Sequence, residues 1–453
     1  MSEEFTPHPL RGRVLGEVHA RPFAPVETPR RILHFAFMTD EEAAARDREA
    51  LARLCESLGV PGPSAGAKHH RAAFSGSLLR WESHSEFTTY TWEFDAPANG
   101  KSANSKTTSN IETRNGSVGD SAGKALAPFH PSPGSLASAM RLVPQPGPLM
   151  VSVDLHLVDA ADLPDGPQSV FGPVHLAAAE VEDAAALIAT DFKPDAHGFV
   201  RILVIDRSLG RGQAGGLVQR VIEIETYRTM ALLGLPEAQA LAPSIRRTEN
   251  ALPVLMEEMR TSEGFEDNRR LLDRLTTLAA ELESGAASSL YRFGATRAYE
   301  ELVRLRLRSI GEQPITGIDS WTAFLSRRIQ PAIRTCTSTE ERQANLSRKL
   351  SRAAQLLRTR IEIELESQNR DLLQAMNARA RVQLRLQQTV EGLSVAAITY
   401  YISGLIFRML EGANRSGIPV DPYVGTAISI PFLAIALALT VRHIRRLHKD
   451  AGL

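Results

Sequence analysis

The sequence predicts an α+β cytoplasmic domain followed by a helical region, a long helix and a C-terminal two-helix transmembrane hairpin. Three observations predict it. Runs of β-branched and aromatic residues with period-two alternation occur in the first half. Neither proline nor glycine interrupts residues 338–388. Two apolar stretches of spanning length close the chain. The expected division is 1–95 with 149–235 as the α+β domain, 96–148 as an insertion, 236–336 as the helical region, 337–392 as a stalk helix, 393–441 as the hairpin and 442–453 as a basic cytoplasmic tail.

Residues 31–38 read as a strand, and the Ala/Glu-rich residues 40–58 as a helix. Residues 72–94 read as a strand or hairpin, being rich in β-branched and aromatic side chains. Residues 96–148 are dominated by Ser, Asn, Gly, Thr, Pro and Lys and have almost no periodicity, so they read as a disordered low-complexity insertion. Val151, Val153, Leu155 and Leu157 then alternate with Ser152, Asp154 and His156, a strand pattern. Residues 199–206 form a further strand, 215–233 a helix, and helices continue to about residue 334.

The long helix opens on Ser338 and Glu341, which have capping-box spacing. Its apolar positions run Leu346, Leu350, Ala353, Leu357, Ile361, Leu365, Leu372, Met376, Val382, Leu386 and Val390. With the gaps at Gln368 and Arg379 filled, the mean spacing is about 3.67, an eleven-residue repeat that supercoils little. One apolar stripe on so long a helix needs a partner, either earlier helices or a second copy.

The two apolar stretches cover 393–410 and 424–441. Each has roughly the length needed to cross a ~30 Å hydrocarbon core. The second carries no charge, and the first only Arg408, near enough to its end to snorkel. Arg379, Arg381 and Arg385 precede the pair, and Arg442, Arg445, Arg446 and Lys449 follow it. The connection holds only Glu411, Arg415 and Asp421, so the positive-inside rule places both flanks in the cytoplasm. Gly425 with Ser429, and Ala434 with Ala438, have the small-xxx-small spacing of close helix packing. Ser394, Thr399, Tyr400, Tyr401, Ser403 and Gly404 bring polarity into the first span. They read either as a polar face lining a path or as interhelical hydrogen-bonding groups.

Composition narrows the function classes. Lys plus Arg equals Asp plus Glu at 52 each, which argues against a general nucleic-acid binder. Two cysteines, Cys55 and Cys336, exclude a disulfide framework and a Cys-rich zinc site. The first ten residues lack the pattern of a signal peptide, so the bulk of the chain is expected in the cytoplasm.

Three constellations invite a chemical reading. Glu17, His19 and Arg21 share one strand face, as do Glu82, His84 and Glu86. His19 with Glu82, His84 and Glu86 could hold a divalent cation or set a proton-transfer pair; the alternative is a solvent-facing charge ladder. Gly210, Gly212 and Gly215 match G-x-G-x-x-G before a helix, where backbone amides bind phosphate. No Gly-Lys-Ser/Thr follows, and a flexible turn is the simpler reading. No G-x-S-x-G elbow between a strand and a helix, no H-E-x-x-H and no Cys/His catalytic pairing in a recognisable context is found, so no enzyme assignment follows.

The segments HPLRGRVLGEVHARP (8–22), LRWESHSEFTTYTW (79–92), LVQRVIEIETYRTMALLGLP (217–236) and LRLQQTVEGLSVAAITYYISGLI (384–406) resemble a bacterial family of uncharacterised membrane-anchored proteins, domain of unknown function 3422. The resemblance covers nearly the whole chain outside 96–148 and implies membrane association, with no activity, cofactor or catalytic residue attached. The architecture is also similar to CorA-type divalent-cation channels, a fold-level analogy. Those channels carry Gly-Met-Asn near the outer end of the first span. Here the region reads Gly404-Leu-Ile-Phe-Arg408 and then Gly412-Ala-Asn414, without the methionine. The expectation is a non-enzymatic, homo-oligomeric inner-membrane sensor, scaffold or binding protein. A CorA-like transporter is the alternative.

Overall fold

Strand β1 (Arg30–Met38) lies centrally in the sheet and explains how the sheet is covered. Ile32, His34 and Ala36 point to one face and Leu33, Phe35 and Phe37 to the other, and five of these six are buried. A strand buried on both sides must be flanked by a layer on each face. The computed structural model describes residues 8–11, 14–15, 23–74, 77–95, 128–130, 145–172 and 175–450. The remaining strands are β2 (His69–Phe74), β3 (Ser77–Ser83), β4 (Phe87–Asp95), β5 (Leu149–Asp159), β6 (Ala177–Val181), β7 (Ala186–Pro194), β8 (Val200–Asp206) and the short β9 (Gln313–Pro314). The described strands form one sheet in the order β2-β3-β4-β1-β5-β8-β7-β6-β9. Only β5 and β8 pair in parallel among these neighbours.

Helix α1 (Glu41–Ser57) covers part of one face. Asp40 caps it, accepting from the Ala43 amide at 2.7 Å, and Glu41 and Glu42 sit favourably at the positive end of its dipole. Leu51 and Cys55 pack against Leu33, Leu79, Trp81, Tyr90 and Trp92. Asp47 is buried in this contact. The Trp81 indole donates to it at 2.8 Å and the Tyr90 hydroxyl at 2.6 Å. Burial still pushes the Asp47 pKa above the ordinary carboxylate value.

The opposite face is covered by α3 (Arg211–Leu232), which follows the single-turn α2 (Gln168–Phe171). Leu217, Val221, Ile224 and Met230 join Ile32, Leu155, Ile188 and Ile202 in the main core. Each such fully buried side chain contributes about 1.5–3 kcal/mol relative to exposure. Helices α4 (Gly234–Thr261) and α5 (Phe265–Ser309) follow, and then α6 (Trp321–Arg415) and α7 (Pro422–Asp450).

The long helix starts earlier than the capping box at Ser338 predicts. Ser320 supplies its N-terminal cap, accepting from the Ala323 amide at 3.2 Å. Pro331 lies inside the helix. Trp321, Phe324, Leu325, Ile329 and Ile333 pack into the main core around it, and that packing outweighs the local loss at proline. Strands β6 and β7 have no counterpart in the sequence reading. Their Ala-rich stretches lack period-two contrast because both faces are buried.

The chain divides into two compact units, Met1–Val254 with Thr276–Ser351, and Leu255–Leu275 with Arg352–Leu453. The first holds the sheet. In the second, Arg360 donates to the Met259 carbonyl at 2.6 Å, and Arg274 pairs with Glu258. The insertion predicted over 96–148 falls outside the described residues except for 128–130 and 145–148.

Candidate functional site

The metal reading depends on Glu82, His84 and Glu86 sharing a strand face, and the backbone does not provide one. Strand β3 ends at Ser83, and β4 begins at Phe87. His84 sits in the connecting turn, where its amide donates to the Phe87 carbonyl at 2.8 Å and its ring stacks on Phe87 at 4.3 Å. Glu86 is buried and receives both Nη atoms of Arg292, at 2.7 and 3.3 Å. The Tyr299 hydroxyl also bonds to Glu86, and burial and that carboxylate push its pKa far up. Glu86 thereby ties the β3–β4 turn to α5. The period-two argument fails because a tight turn interrupts the strand between the first and second of the three residues. His19, Glu17 and Arg21 lie outside the described residues. Among the described residues no group of three His, Cys, Asp or Glu side chains could hold a metal ion.

The glycine-rich turn opens α3, one turn earlier than the sequence reading places the helix. Gly210 caps it, and its amide donates to Gln213 Oε1 at 3.0 Å. Gly215 has a steric reason. A Cβ there would lie 1.8 Å from the Ala24 carbonyl oxygen, so only glycine lets residues 23–27 cross the helix. A cleft of about 470 Å³ beside this turn is lined by Phe23, Gly212, Gly216, Gln219 and two ion pairs. Arg220 holds Glu182 at 2.6 Å and donates to the Ser309 carbonyl at 2.7 Å, while Arg306 holds Glu223. Glu182, Asp183 and Ala184 all have positive φ, near 55–66°, a strained turn that the Arg220 contact holds in place. Both arginines are already neutralised by carboxylates. A phosphate would have to displace them, so the geometry favours the turn reading over phosphate binding.

The buried polar groups of the sheet form a unit that no motif in the sequence marks. Arg31 donates to both oxygens of Asp154, at 2.9 and 2.6 Å, and His156 Nε2 lies 3.5 Å from Asp154 Oδ1. Burial drives the Asp154 pKa upward, but bonds from His156 and Arg31 prevail and hold it below the ordinary value. Burial lowers the His156 pKa. His34 is also buried, with its pKa pushed down to about 3 mainly by desolvation. The Thr226 hydroxyl donates to the Ile222 carbonyl, so it accepts from His34 Nε2 at 3.1 Å. His34 Nδ1 then accepts from Thr91 at 2.8 Å. The only signal in the sequence was charge and imidazole at inward strand positions. These groups are enclosed: Arg31 and Asp154 tie β1 to β5, and His34 ties β1 to β4 and α3.

In the C-terminal pair, the six polar residues of the first apolar stretch do not share a face. At about 100° per residue, Ser394 and Ser403 fall on opposite sides of the helix. Ser394 and Thr399 donate to their own helix at Val390 and Val395, and Ser403 to Tyr400. Tyr400 and Tyr401 are 77% and 73% exposed, and a Cβ at Gly404 would meet nothing within 4 Å. The turn between the helices follows helix-end chemistry. Gly417 takes φ of +95°, and Asp421 accepts from the Tyr423 amide at 2.9 Å, just ahead of Pro422. Gly425 faces Leu410 across the turn, where a Cβ would come within 2.7 Å of Leu410 Cδ1.

These features define a class: a mixed-sheet domain joined to long helices and closed by two exposed apolar helices. The chain belongs to the family described as protein of unknown function (DUF3422), whose model matches residues 6–448. No curated protein and no solved structure matches it.

Proposed function

We propose that this protein is held in the bacterial inner membrane by its C-terminal helix pair and acts as a non-enzymatic binding or scaffolding module in the cytoplasm. One observation carries the reading. Both C-terminal helices contain an 18-residue apolar window of which no part is buried by the rest of the chain. Such a surface in water would cost far more than a domain's net stability, and a bilayer removes that cost. The arginine-rich flanks support a cytoplasmic placement of both ends. On α6, Leu365, Leu372, Met376, Val382, Leu386 and Val390 are exposed. A second copy in the same membrane would cover this stripe, so the module self-associates.

Two measurements test this. Alkaline carbonate washing of membranes should leave the protein in the pellet, and release into the supernatant would overturn the anchor. Light scattering of detergent-purified protein, corrected for bound detergent, should give a multiple of 49.5 kDa. A monomer would overturn self-association and with it any CorA-like pore; a pentamer would call for divalent-cation flux assays.

A further inference from the structure

Midway along α5 the sequence reads Ser284-Gly-Ala-Ala-Ser-Ser289, six small residues in a helix otherwise rich in leucine and arginine. Small side chains where two helices face each other leave space between them. Ala344 and Ser347 of α6 do the same from the other side. The result is a cavity of about 340 Å³, in the range of small-molecule sites. Leu282 and Phe293, both fully buried, and Ala286 and Ala344 provide its apolar lining.

Two polar groups in the lining have unused capacity. Gln343 is 4% exposed, and its side-chain nitrogen has no hydrogen-bond partner. Buried donors are normally satisfied, so this N–H lacks an acceptor that a bound molecule could supply. Ser289 is buried and directs its own hydrogen to the Gly285 carbonyl at 2.9 Å. Its oxygen therefore remains an acceptor. At the rim Glu340 pairs with Arg297, Glu283 accepts from the Ser347 hydroxyl, and Arg348 donates to Ala344 and Asn345 of its own helix. Leu290, at 65% exposure, marks the open side.

We infer that this cavity is a binding site for a small neutral amide: an aryl or alkyl carboxamide, or a cyclic amide. Its carbonyl accepts from Gln343, its N–H donates to Ser289, and its apolar body lies on Leu282, Phe293 and Ala344. A donor, an acceptor and an apolar wall match the carbonyl, the N–H and the apolar body of an amide. The inference adds a ligand class to the binding role proposed above. It does not depend on membrane anchoring, so carbonate washing leaves it untouched.

The test uses detergent-purified full-length protein and 4-fluorobenzamide, followed by fluorine NMR line broadening during titration. Saturable binding is expected. Gln343→Leu removes the donor at similar volume and should weaken binding about tenfold or more, with thermal stability kept or raised. Ala286→Leu fills the space and should abolish binding. Absence of saturable binding to the wild type would mean that the cavity holds solvent only and would overturn the inference. Equal affinity in Gln343→Leu would overturn it too, and that variant decides the matter if Ala286→Leu fails to fold.

Discussion

At the scale of single residues, stability rests on a few buried polar groups whose partners come from distant strands. Arg31 and Asp154 are 123 positions apart and almost wholly excluded from water. Asp154→Asn leaves the guanidinium buried without its charge partner, and a loss of about 3–5 kcal/mol is expected in urea unfolding. A loss under 1 kcal/mol would mean that the pair contributes little. His34 makes a pH prediction. Its folded pKa, near 3, lies below the ordinary 6.5. The unfolded chain therefore binds a proton that the folded chain refuses. The stability involved is fully present above pH 6.5 and is lost as pH falls from there towards 3, by about 1.4 kcal/mol per pH unit for one histidine. His156 shifts in the same direction. The unfolding free energy of His34→Asn should fall less steeply between pH 6.5 and 4 than that of the wild type, and parallel slopes would refute the assignment.

At the scale of elements, close approaches matter more than propensity. Helix α3 is approached by residues 23–27, and Val26 donates to the Arg211 carbonyl at 3.0 Å. Gly215→Ala would drive a methyl into the Ala24 backbone. Backbone cannot rotate away as a side chain can, so a cost of about 1–3 kcal/mol is expected from the thermal midpoint. Gly212, where a Cβ would meet nothing within 4 Å, is the control and should accept alanine with little change. The two glycines look equivalent in the G-x-G-x-x-G string, and only packing distinguishes them. The eleven-residue stripe of α6 is a contrasting case. Leu346, Leu350, Ala353 and Leu357 are buried, whereas the continuation from Leu365 to Val390 is exposed, so one sequence pattern has two different surroundings.

At the scale of the whole molecule, the prediction concerns topology. Cys55 and Cys336 are buried, and burial raises both thiol pKa values, so native labelling background should be low. Ser416→Cys, in the turn between the apolar helices, should react with an impermeant maleimide added outside spheroplasts. Lys449→Cys should react only after the membrane is opened. Labelling of the second variant from outside, or protection of the first, would refute the proposed orientation.

The sequence by itself determined the features that depend on local periodicity and composition. Strands β1, β5 and β8 followed from β-rich runs and inward alternation, and α1 from its Ala/Glu-rich run. The two C-terminal helices followed from uninterrupted apolar length, and the long helix from the absence of breakers. These signals act over a few residues and survive any tertiary arrangement. Tertiary structure alone decided the remainder. It buried Ala-rich β6 and β7 on both faces and so erased their alternation. It carried α6 back through Pro331 to Trp321 because core packing outweighed one missing hydrogen bond. It broke the Glu82–His84–Glu86 face with a turn and gave Glu86 to Arg292, 206 positions away. It set Arg31 against Asp154 and left Gln343 without an acceptor beside six small residues of another helix. A one-dimensional pattern specifies which face a residue occupies. Partners and cavities depend on which distant faces meet.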